Sequence, residues 1–294
     1  MNKQSLKFSL RSNYRSIIVA LIAFIVLAAG VYIYSTSQKG KSEPNVQHGL
    51  EQGHKVAVQG SRSYEIEVTS NTDSIKSQQP TKFSYKIKND KGEILKNYEV
   101  AHEKIMHFIV IRKDLQNFQH LHPNFQQGSA EFSVDITFPN DGPYRVFPDF
   151  TPTEDNPQKL PVTVYHDIDV GNMSKYKPQP VTVDTQAKKT FGDYQIIYNL
   201  PRSIAKQQEI SYSLTTERNG QPVTDLQTYL GALGHSVILK EGTLDFIHTH
   251  AGETGTGPKI EFSTSFPEAG IYKIFTQFQH EGEVKTVDYV VEVK

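Results

Sequence analysis

The feature that most restricts the fold of this chain is that it is written twice. The stretch "MHFIVIRKDLQNFQHLHP", Met106 to Pro123, recurs without a gap as "GHSVILKEGTLDFIHTHA", Gly234 to Ala251, at an offset of 128 residues. The same offset carries "FPNDGPYRVFPDF", Phe138 to Phe150, onto "FPEAGIYKIFTQF", Phe266 to Phe278. Upstream, "KNDKG" at Lys88 to Gly92 answers "ERNG" at Glu217 to Gly220, one residue out of step. Each copy is therefore a domain of about a hundred residues, placed at 62–170 and 181–294, with "GNMSKYKPQP" at 171–180 as the linker between them.

Within each copy the hydrophobic period is two. "FSYKI" (Phe83 to Ile87), "EFSVDITF" (Glu131 to Phe138) and "YVVEV" (Tyr289 to Val293) alternate or run β-branched, and Gly, Pro, Asn and Asp separate them. Short strands at that spacing predict an all-β chain of two tandem antiparallel immunoglobulin-like sandwiches. The 15 Tyr and 16 Phe suit such strands.

Ahead of the repeats, "IIVALIAFIVLAAGVYIY" at 17–34 is eighteen residues without a charge, close to the roughly 20 that span a bilayer as a helix. Lys3, Lys7, Arg11 and Arg15 precede it, whereas Lys39 and Lys41 alone follow closely. The positive-inside bias then holds residues 1–16 in the cytoplasm as a basic tail and sends both sandwiches outside. "LAAG" at Leu27 to Gly30 offers a signal-peptidase site as the alternative, but the apolar run continues past it and favours a retained single-pass anchor. Residues 35–61 read as a flexible linker, and His48 and His54 within it as solvated.

The formal net charge is -1, and without the four cations of the tail the remainder carries -5, which argues against nucleic acid as a partner. Cysteine is absent, so disulfides and thiolate zinc sites are excluded and a metal must be held by His, Met or carboxylate. Motifs for a nucleophile elbow, a zinc protease helix, a dinucleotide fold or a P-loop are also absent, so no enzyme activity is expected.

The repeated blocks read as β-hairpins with three histidines each. In "HSVILK", alternation puts His235, Val237 and Leu239 on the better core face. An even loop then sets His107 with His120 and His122, and His235 with His248 and His250, on one face. Opposed Cβ atoms lie about 5 Å apart and diagonal ones about 7 Å, within reach of one ion. Imidazole suits Zn(II) and Cu(II), and a rigid hairpin fixes ligands in advance. Asp149 of "FPDF" is the candidate fourth ligand in the first copy, whereas its counterpart Gln277 is a poorer one. The rival reading is histidines that bond to backbone at the sandwich end. His102 and Glu103, opposite Leu230 and Gly231, read as solvated or locally hydrogen-bonded, and His166 and His280 stand alone.

"EKIMHFIVIRKDLQNFQHLHP" with "YLGALGHSVILKEGTLDFIHTHA" resembles the paired His blocks of bacterial secreted or membrane-anchored proteins whose Ig-like repeats are similar to YtkA-like domains. The resemblance implies an extracytoplasmic sandwich protein with a copper link and no known reaction. Gly234 in place of Met and Ala251 in place of Pro make the second block less typical. The expected function is thus metal binding at the outer membrane surface, Cu(II) or Zn(II) buffering or transfer. A surface interaction module with structural histidines and an unidentified protein partner is the alternative. With Met106 and Met173 the only methionines past Met1, a Met-rich Cu(I) site is not expected.

Overall fold

A computed structural model of the chain describes residues 56–57 and 63–294, apart from 155 and 252–254. The tail, the apolar run at 17–34 and most of the linker at 35–61 lie outside the described residues. Among the described residues no helix is long and apolar enough to cross a membrane.

The first copy contains β1 (Val56–Ala57), β2 (Ser63–Val68), β3 (Pro80–Lys88), β4 (His107–Arg112), β5 (Gln116–Leu121), β6 (Asn124–Gln126), β7 (Glu131–Thr137), β8 (Gly142–Phe150), β9 (Val162–Thr163) and β10 (His166–Val170). These form two antiparallel sheets, β1-β2-β3-β7-β6 and β10-β8-β4-β5, with β9 also on β8. The second copy contains β11 (Lys188–Phe191), β12 (Tyr194–Asn199), β13 (Glu209–Arg218), β14 (Gln221–Pro222), β15 (His235–Lys240), β16 (Phe246–His250), β17 (Lys259–Ser265), β18 (Gly270–His280) and β19 (Glu283–Val293). Its sheets run β11-β12-β13-β14, with β17 also on β13, and β16-β15-β18-β19. Apart from a 3-10 turn at Met173–Lys175, the described residues are all-β, as the period-two segments predict.

Each pair of sheets closes on its own core. Phe83, Tyr85, Phe108, Val110 and Phe132 meet in the first sandwich, and Tyr212, Ile238, Phe262, Tyr272 and Phe278 in the second. In β17 every second residue is buried and the others are exposed, the signature of a sheet with one wet face. β4 is different, because all six of its residues are buried, and β15 nearly repeats it.

The reason lies between the sandwiches. Ile109, Ile111 and Phe147 of the first copy pack with Val237, Leu239 and Phe275 of the second in a third apolar cluster. The face of β15 that alternation marks as a core face is therefore buried, but against the other sandwich, while Ile238 fills the sandwich interior.

The packing is self-complementary. Phe118 stacks on Phe275 with ring centroids 4.5 Å apart, and the equivalent pair, Phe246 on Phe147, lies at 5.2 Å. Arg145 donates to the Thr243 carbonyl and its counterpart Lys273 to the Leu115 carbonyl, both at 3.2 Å. Exchanging the copies maps each contact onto the other, which is the pattern of an isologous two-fold interface within one chain.

Candidate metal centre

β4 and β5 pair with Phe108 opposite Leu121 and Ile109 opposite His120, so the register runs His107 against His122. In the second copy His235 is paired directly with His250 and Val237 with His248. The second hairpin has the even loop expected, whereas in the first a three-residue turn, with Arg112 opposite Gln116, is offset by a bulge between Val110 and Arg112; the pairing at the histidines is the expected one in both, and each set of three imidazoles shares a face.

Two-residue turns then aim the first histidine of each set. Ala101 bridges Lys104 across His102 and Glu103, with φ of 49° and 63°, and Tyr229 bridges Ala232 across Leu230 and Gly231, with φ of 54° and 75°. Positive φ at both central positions belongs to a tight primed turn. It presents the Ala101 carbonyl to His107 Nε2 at 3.1 Å and the Tyr229 carbonyl to His235 Nε2 at 3.0 Å. A carbonyl only accepts, so both Nε2 atoms carry hydrogen and both Nδ1 atoms are left with bare lone pairs.

In the first set the lone pairs converge. His120 Nδ1 meets Gln277 Oε1 of the other sandwich at 2.7 Å, while Gln277 Nε2 donates to Thr286 Oγ1. His120 Nε2 thereby also offers a lone pair, 3.0 Å from that of His107 Nδ1. His122 Nε2 is buried with no hydrogen-bond partner. One ring nitrogen from each of His107, His120 and His122 lies within 4.8 Å of the other two. Their ring centroids are 5.2, 5.2 and 4.8 Å apart. Three imidazoles bound tetrahedrally to an ion at about 2.0 to 2.1 Å have centroids roughly 5 Å apart, so the set matches that shell closely.

His102, His107, His120, His122 and His235 are held toward the neutral form. Burial first, then His107 and Lys104, push His122 down to about 4. Burial followed by His250, His248 and His107 brings His102 to about 4, and burial with His248, His102 and His107 brings His235 to about 3. Burial also lowers His107 and takes His120 well below its usual value. Neutral imidazole is the ligating form, and leaving a buried acceptor unpaired costs about 1 to 3 kcal/mol, so the cluster favours a cation that takes up the lone pairs.

Asp149 and Gln277 lie where the repeat puts them, but each serves the other sandwich. Asp149 Oδ2 accepts from His248 Nδ1 at 2.8 Å and Oδ1 accepts from Thr163 at 2.8 Å. Gln277 does the same for His120. Asp149 is thus placed behind a ligand-type histidine of the second set, not within the His107, His120 and His122 group. The two His sets, expected one per sandwich, face each other across the interface, with His107 and His248 ring centroids 5.5 Å apart.

His102, expected from sequence to be solvated or locally hydrogen-bonded, packs its ring 4.1 Å from that of His250 and 5.2 Å from that of His235. A reading that weighed repetition could not find it, because the second copy has Leu230 there. His280 is a satisfied structural residue, bonded to the Tyr194 hydroxyl at 2.6 Å and to Asp225 at 3.1 Å.

Comparison with known sequences agrees with the doubled architecture. One family accounts for residues 57–167 and again for 189–294. The chain belongs to that family, described as a domain of unknown function, DUF8832. No curated protein matches the chain. Among solved structures it is similar to a DUF4426 family protein from Pseudomonas aeruginosa, at 15% identity over 36% of this chain and 94% of that one, with a TM-score of 0.26. A DUF4785 family protein from Legionella pneumophila is similar at 11% identity over 80% and 56%, TM-score 0.27. Native alpha-2-macroglobulin from Escherichia coli is similar at 11% over 83% and 15%, TM-score 0.26.

Proposed function

We propose that this protein is a non-catalytic binder of a divalent transition ion, Cu(II) or Zn(II), held by His107, His120 and His122. The observation that carries the reading is the facing of His107 Nδ1 and His120 Nε2 at 3.0 Å, with the unpartnered His122 Nε2 beside them. With His120 Nδ1 donating to Gln277 Oε1, both facing nitrogens are acceptors, and two acceptors do not approach so closely without a cation between them. Imidazole selects Zn(II) and Cu(II) over Mg(II) or Ca(II), and the resemblance to YtkA-like domains favours copper.

The apolar run at 17–34 and its charge bias support a location on the outer face of a membrane, with immunoglobulin-like sandwiches carrying the ion for buffering or transfer. The test is metal titration of the full chain, purified in detergent and stripped by chelator, beside the His120→Ala, His122→Ala variant. Saturable binding at neutral pH that loses its triad phase in the variant is the expected result. No saturable binding of either metal would make the histidines structural and return the chain to the class of interaction modules.

A further inference from the structure

We propose that a second divalent ion binds beside the first, in a position that neither sandwich completes alone: His235, His248 and His250 of the second sandwich with His102 of the first. The inference rests on the triad as the first metal position and extends it to a two-ion centre spanning the interface.

Two nitrogens argue for it directly. His235 Nδ1 and His248 Nε2 are both buried without a hydrogen-bond partner. In the neutral imidazole the tautomer of each is fixed by the partners of its other nitrogen. His235 Nε2 faces two backbone carbonyls, of Tyr229 at 3.0 Å and Leu230 at 3.2 Å, and His248 Nδ1 faces a carboxylate. Both sets of partners only accept, so the remaining nitrogen of each ring must be a lone pair. The amide of Gln277 behind His120 is less restrictive, since turning it over would let a proton bridge His107 and His120. The second set lacks that escape and is the more firmly fixed as a ligand pair.

The remaining rings stand close enough to close a shell. Centroids of His235, His248 and His250 are 5.9, 6.1 and 6.4 Å apart. That is wider than the roughly 5 Å of a tetrahedral His shell, so three rings alone make a loose site. His102 lies 4.1 Å from His250, 5.2 Å from His235 and 6.2 Å from His248, on the open side of the trio. A cavity of about 220 Å³ reaches the group and is lined by His102, His107, His248, His250 and Asp149. It is large enough for an ion with a water and gives a route of entry.

Asp149 supplies what such a position needs behind its ligands. A carboxylate on the far nitrogen of a metal-bound histidine fixes the ring and raises its basicity. Here the carboxylate comes from the first sandwich and the imidazole from the second, so the position depends on the docked arrangement twice, through His102 and through Asp149.

The test counts ions. Full-length chain in detergent is loaded with Cu(II), desalted and analysed for copper per chain, with electron paramagnetic resonance to detect coupling between neighbouring ions. Wild type should hold two and show coupling. His102→Leu, which installs the residue of the second copy at a half-buried turn position, should hold one and lose the coupling, and His250→Ala should behave alike. The His120→Ala, His122→Ala variant should also hold one, without coupling. One ion in wild type, with His102→Leu unchanged, overturns the second position and leaves the triad standing, whereas no ion in wild type removes both. Two coupled ions in His102→Leu, or none in the triad variant, equally refutes the assignment.

Discussion

Asp149→Asn separates a carboxylate that ligates an ion from one that orients a ligand. Asparagine can keep the geometry, its Oδ1 accepting from His248 Nδ1 and its amide donating to Thr163, so what the change removes is charge. In the structure the carboxylate oxygen is 2.8 Å from His248 Nδ1. The imidazole and a metal bond of about 2.0 Å put an ion on Nε2 roughly 7 Å from that oxygen. A unit negative charge and a divalent cation at that distance attract by roughly 5 kcal/mol at an effective dielectric near 20, an upper bound since solvent enters the cavity. Outer-shell substitutions at metal histidines typically cost 10- to 100-fold in affinity, about 1.4 to 2.7 kcal/mol, and that range is expected here. Asp149 also raises the proton affinity of His102 and His107, so the triad should weaken less, through His107 alone. Competition titration with a chromophoric chelator, read in wild type and in each single-position variant, resolves the two phases. If Asp149→Asn weakened the triad phase more than the other, Asp149 would be a ligand of the first set and the crossed arrangement would be wrong.

Gln277→Glu should tighten the triad about 10-fold in the same titration, because a carboxylate cannot donate and so holds His120 with Nε2 bare; an unchanged or weaker triad would contradict that role. Phe118→Ala should lower unfolding free energy by about 2 kcal/mol, with a coupling to Phe275→Ala of about 0.5 to 1.5 kcal/mol in a denaturant double-mutant cycle; coupling near zero would mean the stack does not hold the interface. In the chelated chain, His102 and His122 near 4 and His235 near 3 bind fewer protons folded than at their unfolded value of about 6.5, so urea stability should fall as pH drops from about 6.5 to about 4; a flat profile would show these rings to be solvated. Protease added to intact cells should digest both sandwiches and leave a short membrane stub, and a fully protected chain would reverse the orientation.

What could be read in advance divides along a physical line. Strand positions and hairpin register follow from period-two alternation, and a constant offset forces whatever one copy does on the other, so His107 opposite His122 and His235 opposite His250 were legible. The docking of the sandwiches left a fainter mark. "HFIVIR" is apolar on both faces, as a strand covered on both sides must be, yet "HSVILK", with Ser236 and Lys240 alternating against Val237 and Leu239, suggests a single core face. Ser236 is nonetheless buried, satisfied by Thr276 Oγ1 at 2.7 Å, which is how a polar residue escapes that reading. The crossing of Asp149 to His248 and of Gln277 to His120 depends on the docking of two sheets, which no local pattern encodes. His102 was hidden because its role comes from the interface and has no echo in the second copy.

Departures from two-fold symmetry at the interface bear on how such a centre would work. Apolar contacts obey the symmetry, with Phe118 on Phe275 matched by Phe246 on Phe147. Polar groups at the two positions break it, with Asp149 set against Gln277 behind the ligands and His102 against Leu230. Fully symmetric copies would give two positions of equal affinity, and an ion would gain nothing by moving from one to the other. With a charged partner behind His248 and a neutral one behind His120, the positions differ in the field each ion feels, while His107 stands 5.2 Å from His120 and 5.5 Å from His248, centroid to centroid, and borders both. A tight triad beside a more open position lined by a cavity suits capture at one and retention at the other. The sign of the difference is fixed by charge: the position backed by Asp149 gains most for a divalent ion and least for a monovalent one, so reducing bound Cu(II) to Cu(I) should shift occupancy toward the triad.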